Sequence, residues 1–273
     1  MARVHHLSCG TLCPYGARLI AGEGGLGRST LVCHCLLVEA GDSLILIDTG
    51  FGLDDMRHPY RRLGVPFVAG FGMKPDPAET AAEQVRGLGL DPADVRRIAC
   101  THLDLDHAGG LPDFPDAEVH VFEAERDVAV DPSLRDRVRY PSCHLAHGPR
   151  WVTHAVDGDS WFGFESIRML PGFEPEILLI PLVGHSRGHT GVAIRDSDRW
   201  LLHCGDAYFH HAEMADPPSC PPGLAAFQTA MASDRAARRA NQERLRELAR
   251  DHGDEVTMFC SHSAVELERT GAP

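Results

Sequence analysis

Apolar residues along this chain come in short blocks broken by Gly, Pro and Asp, the pattern of buried strands joined by turns rather than of long helices. Leu31 to Val38 is almost continuously apolar, Ala40-Gly41-Asp42 marks a turn, and Leu44 to Ile47 forms a second block that ends at Asp48-Thr49-Gly50. This predicts a buried hairpin. Val95, Ile98 and Ala99 with Cys100 predict a short strand, and Ala117 to Phe122 predicts another, followed by a short helix over Glu123 to Val130. Trp151 to Val156, Ser166 to Leu170 and Ile177 to Leu182 are strand candidates that place a second sheet in the middle of the chain. Val192 to Arg195 and Arg199 to Cys204, joined at Asp196-Ser197-Asp198, form a second hairpin that ends at Gly205-Asp206. Val256 to Cys260 is a last strand, delivering Ser261-His262-Ser263.

Helical signals are fewer. Asp76-Pro77-Ala78-Glu79 reads as an acidic N-cap, proline at the first helical position and Glu at the third, so a helix should run from there to about Leu88 and stop at Gly89. Gly223 to Met231 and Ser233 to Asp251 are also helical, the second with Ala237, Leu245 and Leu248 inward and six arginines outward. Two segments carry no period. Residues 51–75 hold Phe51, Met56, Tyr60, Phe67, Phe71 and Met73, which suits either a loop packed by its own aromatics or an apolar substrate pocket. Residues 131–149 read as an excursion over the surface, with His144 and His147 structural or solvated.

Composition narrows the function classes. Lys and Arg number 26 against 39 Asp and Glu, a net charge of −13 that repels phosphate backbones and anionic membranes alike, so nucleic acid and membrane partners are not expected. Neither a signal-length apolar core nor a membrane-length apolar run is present, which predicts a cytoplasmic protein. The nine cysteines are an odd number, several of them inside apolar runs, and read as reduced small hydrophobes.

The densest chemistry lies in Thr101-His102-Leu103-Asp104-Leu105-Asp106-His107-Ala108-Gly109-Gly110, which follows the strand ending at Cys100. His102 and Asp104 share one side by period two, and Asp106 and His107 must swing to another, which suits two adjacent cations better than one. His102-x-Asp104-x-Asp106-His107 resembles the H-x-H-x-D-H signature of the metallo-β-lactamase-fold hydrolases, and the full run is similar to that loop in the N-acyl-homoserine lactone lactonase branch. One position departs, Asp104 standing where the pattern has histidine.

The resemblance implies an α/β fold, an αββα sandwich of two mixed β-sheets flanked by helices, with residues 1–273 as one domain. It also implies a ligand set: His102, Asp104 and His189 for one metal, Asp106, His107 and His262 for the other, and Asp206 bridging. His185 then falls outside the ligand set, and Asp48 holds the metal loop. The expected cofactors are two divalent ions, zinc first, with iron or manganese favoured by Asp104, because an extra carboxylate lowers the positive charge of the centre. The implied reaction is opening of a lactone or related ester by a metal-bridging hydroxide, with Asp106 relaying a proton and Tyr208 as a second catalytic candidate. A non-hydrolytic iron oxygenase or redox protein on the same fold is the alternative. The expected partner is a small lactone or ester substrate, and the protein is expected to be a monomer or homodimer.

Overall fold

The computed structural model describes residues 3–41, 43–156, 159–170 and 174–271; Asp42 of the first predicted turn lies outside them. The first sheet comprises β1 (Arg3–Leu12), β2 (Leu31–Ala40), β3 (Ser43–Ile47), β4 (Met73–Lys74), β5 (Val95–Ala99), β6 (Glu118–Phe122) and β7 (Arg150–His154), in the order β4-β1-β2-β3-β5-β6-β7. The second comprises β8 (Asp159–Trp161), β9 (Phe164–Arg168), β10 (Ile177–Pro181), β11 (Thr190–Asp196), β12 (Arg199–His203) and β13 (Val256–Phe259), in the order β13-β12-β11-β10-β9-β8. Both are mixed. In the first, β1, β2 and β3 pair antiparallel and β3, β5, β6 and β7 pair parallel; in the second, only β12 and β13 pair parallel.

Strand alternation sorts the apolar side chains into layers. Leu36 and Val38 of β2 and Ile45 and Ile47 of β3 meet Ile177 and Leu179 of β10 and Val192 and Ile194 of β11 between the sheets. The opposite face of the first sheet packs Leu37, Leu46 and Val119 against Ala81, Ala82 and Val85 of the helix Ala81–Gly87 and Ala129 of the helix Glu123–Val130. The far face of the second sheet packs Ala193 and Leu202 against Leu245 and Leu248 of the helix Arg235–Asp251. The result is the αββα sandwich expected.

Four local expectations change. Trp151 belongs to β7, which pairs parallel with β6, so that segment extends the first sheet instead of opening the second. β1 was not anticipated, because His5 and His6 interrupt its apolar alternation. Asp76 caps only a 3-10 turn, Pro77–Glu79; the helix proper starts after Thr80, whose hydroxyl accepts from the Glu83 amide, and spans Ala81–Gly87. Arg238 is buried instead of outward, and its guanidinium donates to the Gln228 side chain at 2.8 Å.

The fold brings one set of strand ends together. The segments after β3, β5, β10, β12 and β13 carry Asp48, Thr101 to His107, His185 to His189, Asp206 and His262, all leaving carboxyl ends of strands, where open α/β sheets form their sites. Backbone bonds fix these segments to one another: Asp48 N–H donates to Ala99 O (2.9 Å), Thr190 N–H to Thr101 O (2.8 Å) and Ser261 N–H to Gly205 O (3.1 Å). No helix among the described residues is long and apolar enough to cross a membrane.

Candidate metal centre

Asp206 lies at the middle of the cluster. One carboxylate oxygen is 3.3 Å from His107 Nε2 and 3.1 Å from His262 Nε2, and the other is 3.5 Å from His185 Nε2 and 3.8 Å from His102 Nε2. Asp104 stands on one side, its Oδ2 3.1 Å from His185 Nε2 and 3.5 Å from His102 Nε2. Asp106 stands on the other, 3.8 Å from His262 Nε2. Asp104 and Asp206 are nearly inaccessible, whereas Asp106 is half-buried.

The outward nitrogens of His102, His107 and His262 are bonded. Asp48 accepts from His107 Nδ1 (2.8 Å), from the Thr101 amide (2.7 Å) and from the Thr101 hydroxyl (2.7 Å), the loop-holding role expected of it. With its proton given to Asp48, the Thr101 hydroxyl accepts from His102 Nδ1 at 3.0 Å, and His262 Nδ1 donates to Val32 O at 2.8 Å. With Nδ1 as the donor in these bonds, the Nε2 atoms of these three rings face inward, where each can offer a lone pair once any proton has left. His102 Nε2 and His107 Nε2 are buried and make no hydrogen bond, a costly arrangement unless a cation fills the space between them. The nitrogen and oxygen donors suit a divalent ion, and two groups, His102 with Asp104 and His185, and His102 with His107 and Asp206, each hold their donor atoms within 4.8 Å of one another. The clusters are compatible with a dinuclear site.

Electrostatics agree. Burial disfavours the charged form of Asp206, but His262, His107 and His185 outweigh it and hold the carboxyl well below its usual range. Burial likewise opposes protonation of His107, yet Asp206 and Asp48 raise it well above an ordinary histidine. The same anionic field that holds a proton there would hold a cation.

Of the two histidines of the Gly-His-Ser-Arg-Gly-His loop, the one expected as a ligand, His189, is turned away from the carboxylate oxygens, and His185 faces them. His189 Nδ1 is bonded to Leu182 O (3.0 Å), and its Nε2 accepts from the Asp206 amide (2.8 Å), so no lone pair remains for a metal. Its neighbour Gly205 explains the contact: φ is +54°, and a Cβ there would lie 2.6 Å from His189 Nε2. His189 therefore positions Asp206, while His185 faces the carboxylates.

Tyr208 is also corrected. It is fully buried, and its hydroxyl donates to Glu266 at 3.0 Å, away from the cluster. The next residue, Phe209, faces the site instead and stacks on His262 with ring centroids 4.8 Å apart. Its ring has no hydroxyl to offer a substrate carbonyl.

A family model described as the metallo-beta-lactamase superfamily matches residues 28–255. The chain belongs to that superfamily. A probable metallo-hydrolase of Mycobacterium tuberculosis is 41% identical over 265 residues, covering 95% of this chain and 80% of the relative. The N-acyl homoserine lactonase AttM of Rhizobium johnstonii is 42% identical over 148 residues, covering 52% of this chain and 53% of the lactonase. Among solved structures, an N-acyl homoserine lactone hydrolase with the product N-hexanoyl-L-homoserine at its metal centre shares the fold, with a TM-score of 0.71, 19% identity and coverage of 99% of this chain and 96% of that one.

Within the superfamily chain two residues complete the site that pattern reading did not find. Arg139, from the excursion over residues 131–149, grips Asp104 with Nε at 2.8 Å and Nη2 at 2.7 Å, and its Nη1 donates to His185 O (3.2 Å) and Met231 O (3.0 Å). Burial opposes ionisation of Asp104, but Arg139 and then His102 outweigh it and hold the carboxyl well below its usual range. Glu125, fully buried, accepts from Leu103 N–H (3.1 Å), Gly188 N–H (3.0 Å), the Ser186 hydroxyl (2.6 Å) and the Tyr140 hydroxyl (3.1 Å). One carboxylate thus joins three loops around the centre. No motif announces either residue, since a lone Arg or Glu carries no spacing signal.

A cavity of about 600 Å³ ends on this cluster. Asp104, Asp106, His185, Asp206 and His262 line its floor. Its wall is a ladder of rings: Phe67 to Phe71 at 4.9 Å, Phe71 to Phe227 at 5.6 Å, Phe227 to Phe209 at 5.9 Å, then His262. Phe67 and Phe71 come from the aperiodic 51–75 segment, which folds as three short helices, Leu53–Arg57, Pro59–Arg62 and Val65–Gly70.

Proposed function

We propose that this metallo-hydrolase, with residues 1–273 as one domain, is a dinuclear enzyme that opens a lactone or related carboxylic ester bearing an apolar acyl arm. His102, Asp104 and His185 would hold one ion, Asp106, His107 and His262 the other, and Asp206 would lie between them. Two such ions supply a nucleophile at neutral pH, polarise the carbonyl and stabilise the alkoxide that leaves.

The chain's own residues do the rest. Asp106, half-buried at the cavity floor, is placed to take a proton and return it to the departing oxygen. Phe67, Phe71, Phe227 and Phe209 remove the acyl arm from water and exclude water around the ester. The Arg139 guanidinium fixes Asp104 and so holds the donor set rigid. The observation that carries the reading is the cavity with its phenylalanine wall that ends on His185, His262 and three carboxylates, beside the buried, unbonded Nε2 atoms of His102 and His107. The N-acyl homoserine lactone hydrolase that shares the fold and holds an acyl homoserine product at its metal centre supports it.

Asp104 alone would favour the iron redox alternative, but the buried Arg139 returns the positive charge that the extra carboxylate removes. The test is a panel of acyl lactones and linear esters of rising chain length, read by proton release. Ring opening that improves with chain length is expected; no release from any member would refute the reading.

A further inference from the structure

β2 brings one more donor to the Asp106 side. Cys33 is buried on that strand, and its Sγ, a carboxylate oxygen of Asp106 and a ring nitrogen of His262 all lie within 4.8 Å of one another. The approach is built by backbone bonds on both flanks of the cysteine. On one side Val32 O accepts from His262 Nδ1 at 2.8 Å; on the other, His34 N–H donates to Ser261 O at 2.9 Å. The bond that aims His262 Nε2 inward therefore also holds Cys33 beside it. Cys35, two residues along the same strand, shows what an ordinary buried cysteine looks like here: it packs with Cys9, Leu7 and Leu37 in the apolar core. Cys33 has apolar neighbours too, Leu12 and Phe51 among them, but it alone of the pair also faces a carboxylate and an imidazole at ligand spacing.

We propose that Cys33 is a thiolate donor to the ion held by Asp106, His107 and His262. The inference rests on the metal-centre reading above and deepens it. On binding, the S–H bond breaks heterolytically, the proton leaves to solvent and the sulfur lone pair goes to the cation, with no change of oxidation state. The two positions then differ in kind: nitrogen and oxygen donors with an arginine-compensated carboxylate on the Asp104 side, a sulfur donor on the other. Thiolate selects borderline and soft ions such as zinc, cobalt or cadmium, whereas oxygen-rich donors accept manganese or iron, so the centre is built for two unlike ions as readily as for two alike.

Cobalt(II) tests this without any assay of activity. The full chain is stripped by chelator, reloaded with cobalt, and its absorption followed together with cobalt bound per chain. The wild type should show a sulfur-to-cobalt charge-transfer band in the near ultraviolet; Cys33→Ala should lose it, and Cys35→Ala should keep it. Zinc should also bind the position on the Asp106 side at least about tenfold less tightly in Cys33→Ala, since loss of a ligand costs no less than loss of an outer contact, with manganese little changed. Two cobalt ions bound to the wild type with no such band, or a band that survives Cys33→Ala, would overturn the proposal and leave the metal centre standing. Failure of the wild type to bind cobalt at all would overturn both.

Discussion

Residues 101–110 and residues 131–149 arrive at the same carboxylate by opposite routes. The first segment leaves the end of β5 carrying four metal-competent side chains in six residues, and its spacing announces its chemistry. The second has no period, no motif and little regular structure, and sends in one guanidinium that takes both oxygens of Asp104. The donors leave strand ends that backbone bonds fix to one another, while the counter-charge comes from a segment outside both sheets. A charged residue inside a metal site can thus have its compensation far away in sequence, and a charge sum taken over neighbours in sequence will be wrong. Asp104 illustrates the error. Read alone it lowers the charge of the centre by one; paired with Arg139 it leaves the charge where a histidine would.

Replacing a donor should be the most damaging change. His102→Ala is expected to cost about a thousandfold or more in turnover, the scale of losing a preorganised electrostatic partner, and to lower metal content per chain. His185→Ala should behave like it. His189→Ala should keep more metal than either, because it only positions the Asp206 amide; equal metal loss in all three variants would return His189 to the ligand set.

Arg139→Met isolates the second segment. Breaking a buried pair leaves Asp104 uncompensated, so metal-free protein should lose about 3 kcal/mol of stability by urea titration, and added metal should restore more of it than in the wild type. Asp104→His with Arg139→Met should recover most of the loss, while Asp104→His alone should not. Additive effects of the two substitutions would show that the pair is not a unit.

The difference between the segments also explains what the sequence made legible. Two sheets, most strands and the loop after β5 could be read because periodicity and ligand spacing are local properties. Arg139, Glu125 and Cys33 could not, because each acts through contacts set by tertiary folding. His189 and His185 are four residues apart in one glycine-spaced loop, and only the turn at Gly205, which brings the Asp206 amide onto His189, separates their roles. Tyr208 and Phe209 are adjacent, and which ring faces the cavity is a matter of one residue of rotation.

Smaller effects sharpen the picture away from the donors. Phe67→Ala with Phe71→Ala should raise KM for long-chain acyl lactones about tenfold while leaving short-chain KM nearly unchanged, as expected for loss of apolar contact with the arm alone. Equal changes for both would make the ladder mere packing. Lower still is the pH effect of buried histidines outside the centre. Burial and then His203 push His6 down to about 4, and burial and then His154 push His120 down to about 4, from 6.5. At pH 7 both residues are neutral in the folded chain and mostly neutral in the unfolded one. As pH falls below 6.5 the unfolded chain takes protons that the folded chain refuses until about pH 4, so stability should decline across that window. A loss of about 1 kcal/mol or more between pH 7 and 5 is expected after allowance for solvent screening. Flat stability over that range would show that these rings accept protons without disturbing the fold.

The central claim, that inward imidazoles and carboxylates at four strand ends form a two-ion hydrolytic centre, is tested most directly by titrating metal-free protein with zinc while following proton release from a long-chain acyl lactone. The account predicts no release before metal is added and a rate that climbs to a plateau at two ions per chain. A full rate in metal-free protein, or a plateau at one ion per chain, would contradict it.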